Sequence, residues 1–479
     1  MGSLPTGRRT FILLDGEGGR PRTWSACGAG RMAVAARVAF VRDALFPATE
    51  TRRPLKPAVV VVGYVLAATA GFAVDLWWSG PGITSRVWAE DGAVFLSTAY
   101  RLHYFAAVAT PYAGYLQVMP RSLAALASVF PASDAAWVLA ASAAAARAAV
   151  SLFVFRASSG HLRSTSVRAM LAVAIVVLPV GGYEVLDNIA NLHWFFTFAA
   201  FWAVLWRPPR RWECALAASV VVVAVGSDPL TALLLPIVVL RAISMRRWRD
   251  QVVTMSFAAA GAVQMWAVLS GTRPIHETFS VLTVTKLFSV RVLLGALTGY
   301  WHTIALWQHM HYVAVGFGAL AVLASITPAL RIGGSRRWLA TWAGAGSALS
   351  FGACFAEPAV VPHLKLDVVS SLTSYDVLAS LLMLTAIAAG LEALRWPANL
   401  VVRGVIGAVF LSALPVDLVG SAQLWAHLER TVPSWHTAIA NGRIECGNQV
   451  GAGSRGGEAW VLESPEGWRV RLPCSAIDR

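Results

Sequence analysis

Two neighbouring carboxyl groups, Glu90 and Asp91, lie in Trp88-Ala-Glu-Asp-Gly-Ala-Val-Phe95, shortly after the first long apolar run of the chain, residues 57–78. A carboxylate at a membrane rim can take a proton from an attacking hydroxyl or hold a divalent cation against a phosphate. Adjacent helical residues diverge by roughly 100°, so one acid would face a cavity while the other supports it. Gly92 lets another chain or a substrate approach closely. Trp88, Phe95 and Leu102 recur at seven-residue spacing and are expected to form one apolar face lying on the membrane. The plainer reading of the same residues is a solvated acid pair.

A second polar group is Asn188, Asn191, His193 and Trp194. Amides and an imidazole can hydrogen-bond sugar hydroxyls, and an indole can stack on a sugar ring. Helix capping and interfacial anchoring explain the same residues. Asp228 before Pro229 reads as an N-cap. Cations for a lipid phosphate would come from Arg121, Arg273 and Lys365, with Arg86, Lys286 and Arg291 as further candidates.

These residues need a membrane scaffold. The 479 residues are 57% hydrophobic and 13% charged, against about 25% charged in soluble domains. The net charge of +14 falls in short basic clusters between apolar runs. That pattern sets topology and contacts membrane lipids, and nucleic-acid binding is not expected. The spacing predicts an all-α polytopic membrane protein of about eleven transmembrane helices, near 57–78, 134–155, 168–183, 193–206, 213–227, 230–244, 252–270, 312–330, 337–355, 376–394 and 401–420. Basic loops at 156–168, 207–212, 245–251, 331–337 and 395–403 would lie inside, with the N-terminus cytoplasmic and the C-terminus extracytoplasmic. The expected organisation is a basic disordered arm (1–56), a transmembrane domain (57–420) with outer loops 79–133 and 271–311, and an extracytoplasmic tail (421–479). Residues 112–131 and 283–307 read as outer, non-spanning stretches. In the tail, Trp460–Glu463 and Arg469–Leu472 read as two short strands around a turn. Cys446 and Cys474 could staple this small β cap.

An acidic pair directly after the first span, a long outer loop, the segment Pro111-Tyr-Ala-Gly-Tyr-Leu-Gln-Val-Met-Pro-Arg121 and many further spans resemble the GT-C superfamily of membrane glycosyltransferases. The stretch is also similar to a group of bacterial membrane proteins with Glu-Asp-Gly at this place. The resemblance implies a bacterial plasma-membrane transferase using a polyprenyl-phosphate-linked sugar donor, with Asp91 as base or metal ligand, Glu90 second, and Mg2+ or Mn2+ as the cation. No second acidic motif in a later loop matches. The alternative is a transporter or lipid flippase of the cell envelope. That fold class is expected to show paired half-repeats, and none is evident in the chain.

Overall fold

The structure, a computed structural model, describes residues 39–48, 56–80, 82–177, 185, 188–245, 247–271, 281–354, 373–394, 398–451, 457–463 and 467–478. It is mostly helical, with a small two-stranded sheet.

Among the described residues, seven helices are long and apolar enough to cross a membrane: Pro57–Trp78, Ala132–Gly160, Trp248–Ser270, Val281–Thr298, Tyr312–Ile332, Ser374–Ala393 and Val401–Gly420. Four other apolar helices, Val118–Ala127, Thr165–Val177, Leu192–Leu205 and Pro229–Ser244, are shorter. At 1.5 Å per residue the Leu192–Leu205 helix reaches only about 21 Å, less than the ~30 Å hydrocarbon thickness. Segment 112–131 contains just the ten-residue helix Val118–Ala127, too short to span.

The stretch 281–298, which overlaps the 283–307 segment expected to lie outside, is helical throughout and long and apolar enough to cross a membrane. Its buried charge is paired: Arg291 forms an ion pair with Asp376 at 3.3 Å. A second buried pair joins Asp75 and Arg147 at 2.7 Å. Arg147 also donates to the carbonyls of Ile175 and Val176 and lies over the Phe195 ring. Charges at membrane depth persist when paired in this way.

The helix Ala135–Ala157 has distinct surroundings at its two ends. At its C-terminal end Arg156 bonds Glu213 at 2.7 Å, and His161 bonds the Leu45 carbonyl. Residues 39–48 therefore dock here through the buried Leu45 and Phe46, although they fall within the expected disordered arm. At the N-terminal end the Trp435 indole donates to the Ala132 carbonyl at 2.7 Å, which seats the helix Trp435–Gly451 beside the first loop.

The C-terminal hairpin pairs β1 (Glu458–Leu462) with β2 (Arg469–Pro473) antiparallel, Val461 opposite Val470. Cys446 and Cys474 are disulfide-bonded, which ties the hairpin to Trp435–Gly451. Side chains alternate along the strand. Ala459 and Val461 point inward, and the same parity carries Glu463 inward.

Candidate functional site

The first loop builds the site through strained, irregular backbone. Ala89 has φ +34, a left-handed value that non-glycine residues adopt at a cost. It redirects the chain into Asp91–Leu96, a π-helical turn. Such turns recur at functional sites. The widened turn breaks the expected seven-residue stripe. Phe95 is buried in the protein between Tyr112 and Arg121, whereas Leu102 stays exposed at a helix end.

Asp91 is 2% exposed. Its Oδ2 accepts the Ile189 N–H at 2.8 Å and its Oδ1 the Ala190 N–H at 2.9 Å. The first loop is thereby pinned to the start of the Leu192–Leu205 helix, where free N–H groups favour an acid. Burial pushes the Asp91 carboxyl up to about 8, against the lowering effect of those two N–H groups; the nearby Glu90 adds to the rise. Glu90 is half-buried and is also raised, again by burial.

The 188–194 segment meets this acid directly. Asn188 Oδ1 accepts the Asn191 N–H at 3.0 Å, as a cap does. Asn191 Oδ1 accepts the Trp194 indole N–H, and His193 Nδ1 donates to the Ala190 carbonyl at 2.6 Å. The His193 and Trp194 rings lie 4.3 Å apart, and Tyr375 meets Trp194 edge-on. One helical turn deeper, Thr197 donates to Asp228, whose other oxygen accepts the Leu230 N–H. Asp228 is thus both the cap its sequence suggests and a wall of this polar layer.

Arg121 is the expected cation that packs against the π-helical turn. Its guanidinium lies 5.4 Å from the centre of the Phe95 ring, and one nitrogen donates to the Pro111 carbonyl. Its Nε and Nη1 are buried with no hydrogen-bond partner among the described residues. Gln117 Oε1, one turn earlier, is unpartnered in the same way. Buried donors and acceptors left unmade are expensive, so water or a ligand group is expected to meet these atoms. Of the other expected cations, Arg291 is spent on Asp376, Arg86 donates to the Val432 carbonyl, and Arg273 and Lys365 lie outside the described residues.

An acid that sequence reasoning missed completes the cluster. Glu463 reaches in from the C-terminal hairpin, and its Oε1 accepts the Ala93 N–H at 3.1 Å. A Cβ on Gly92 would overlap Glu463 Oε2 and come within 2.6 Å of Val470 and 2.8 Å of Val87. Gly92 is therefore the seat of the hairpin. Burial first, and the charge of Asp91 second, push Glu463 up to about 10.

The expected Mg2+ or Mn2+ would have to be held by Asp91 and Glu90. Each Asp91 oxygen accepts one backbone N–H and keeps a second lone pair, and among the described residues no three His, Cys, Asp or Glu side chains converge on one point. Comparison with protein-family models, curated proteins and solved structures finds no match to this chain.

Proposed function

We propose that this chain transfers a sugar from a polyprenyl-phosphate-linked donor to an acceptor on the outer face of a bacterial plasma membrane, on a GT-C-like scaffold. The observation that carries the reading is that one π-helical turn brings together Asp91, a buried acid, and Phe95, against which Arg121, a buried and under-used cation, packs. Glycosyl transfer needs these two charges. Asp91 accepts the proton of the acceptor hydroxyl as its oxygen attacks the anomeric carbon. The bond from that carbon to the phosphate oxygen breaks, and the lipid phosphate leaves with the electron pair, held by Arg121. A single displacement inverts the anomeric centre.

An acid near 8 is well matched to this work, because a base is most effective when its pKa lies near the working pH. Trp194, His193 and Asn191 give an aromatic face and polar edges suited to a sugar ring, next to the segment that holds Asp91. Membranes carrying the wild type or Asp91→Asn, supplied with a labelled polyprenyl-phosphate sugar, test the proposal. Full transfer by the variant removes Asp91 from the chemistry.

The transporter reading draws on the buried pairs Asp75–Arg147 and Arg291–Asp376 within the helical bundle, since paired charges at that depth also mark translocation paths. Uptake into sealed vesicles, run beside the transfer assay, separates the two.

A further inference from the structure

The C-terminal hairpin does more than decorate one end of the bundle. It lies on the first loop through four polar contacts. Ala93 N–H donates to Glu463, the Ser97 hydroxyl and Arg101 both donate to the Arg471 carbonyl, and Arg101 pairs with Glu458 at 3.2 Å. Under it, Asp91 and Glu463 are each 2% exposed. A substrate hydroxyl has no direct approach to Asp91 in this arrangement.

The seat itself is made to release. Glu463 Oε2 is buried with no hydrogen-bond partner among the described residues. It faces Gly92, the one residue type whose missing side chain leaves it room. Neither Asp91 nor Glu463 forms an ion pair among the described residues. The acids facing them are each other and Glu90, while the nearby cations Arg101 and Arg471 are engaged by Glu458. An unsatisfied carboxyl weakens the closed state relative to one in which water reaches it. The hairpin meanwhile stays attached through Cys446–Cys474 to the helix Trp435–Gly451, which is anchored independently at Ala132.

We propose that the stapled C-terminal hairpin is a lid over the first-loop acid, latched by Glu463 against Gly92 and Ala93, and that it lifts to admit substrate to Asp91. The lid regulates the site read above as a transferase. It depends on that reading only for what the lid admits.

The test is carboxyl labelling of the full chain in lipid nanodiscs, using a water-soluble carbodiimide with glycinamide, read residue by residue by mass spectrometry. Exposed Asp134 calibrates the reagent, and Asp417, buried in the Ala398–Thr431 helix, reports global unfolding. Wild-type Asp91 is expected to label slowly but well above Asp417. Glu463→Ala and Gly92→Ala are expected to speed Asp91 labelling roughly tenfold, the shift that one lost hydrogen bond gives to an open–closed equilibrium. Glu463→Gln keeps an acceptor for the Ala93 N–H and should stay within about twofold of wild type. Should either alanine variant unfold, as judged by Asp417, the Ser97→Ala/Arg101→Ala pair loosens the lid from the other side and is expected to speed Asp91 in the same way. Wild-type labelling of Asp91 no faster than Asp417, or a folded Glu463→Ala, Gly92→Ala or Ser97→Ala/Arg101→Ala variant with the wild-type rate, overturns the proposal. No sugar donor is needed, so a failed lid and a failed transferase reading are told apart.

Discussion

Raising the pH should lift the hairpin from the first loop, and Glu463→Gln should blunt the effect. Burial pushes Asp91 from 3.8 up to about 8, and burial with the charge of Asp91 pushes Glu463 from 4.5 up to about 10. Both values lie above those of the freed acids, so the docked form binds more protons. Docking is fully favoured below about pH 4 and is lost as the pH rises through about 8 and then about 10. Each carboxyl protonated only when docked weakens docking by about 1.4 kcal/mol per pH unit. Across two units one such group contributes about 3 kcal/mol, roughly a hundredfold in the docked population. Water entering the loosened interface makes this an upper bound. Glu463→Gln removes one of the two titrating groups, so the slope should fall by about half.

Spin labels at Leu102 and Trp460, which are 43% and 53% exposed, report the first loop and the hairpin. Electron–electron distance measurements between pH 6 and 9 should show a second, longer distance growing with pH in the wild type, and growing less in Glu463→Gln. A distribution that does not change with pH, or an identical response in the variant, would refute the reasoning.

Breaking the Asp75–Arg147 pair should be severe. Asp75→Asn leaves a fully buried guanidinium without its counter-ion and should lower stability by about 3–5 kcal/mol in thermal unfolding in detergent. Replacing both cysteines, Cys446→Ser/Cys474→Ser, opens a link across 28 residues and should destabilise the cap by about 3–4 kcal/mol, seen as faster tryptic cleavage at Arg469 and Arg471. Arg121→Gln should reduce transfer at least about tenfold while folding persists, because two of its buried donor groups have no partner to lose among the described residues. An Arg121→Gln enzyme with wild-type transfer would remove Arg121 from phosphate binding.

The acid pair was legible in the sequence because its position after an apolar run is informative without knowledge of contacts. The hairpin was legible from its alternation and its two cysteines. What stayed hidden depended on partners far away in the chain. Arg291 argued for an outer amphipathic stretch at 283–307, and its ion-pair partner Asp376 lies 85 positions later in the chain. Glu463 read only as the last residue of a short strand, although the alternation along that strand puts it on the inward side with Ala459 and Val461. The stripe of Trp88, Phe95 and Leu102 assumed a regular helix. A strained Ala89 and a π-helical turn change the period locally, and no pattern of apolar residues announces that change.

The most direct test of the account is the rate of sugar transfer from a labelled polyprenyl-phosphate donor by wild type and Asp91→Asn, each shown to be folded by its thermal transition. Loss of a positioned base is expected to slow transfer by about a hundredfold or more, while donor binding persists through Arg121. Transfer by the variant at the wild-type rate, or no transfer by either protein across a panel of polyprenyl-linked sugars while vesicles accumulate one of them, would contradict it.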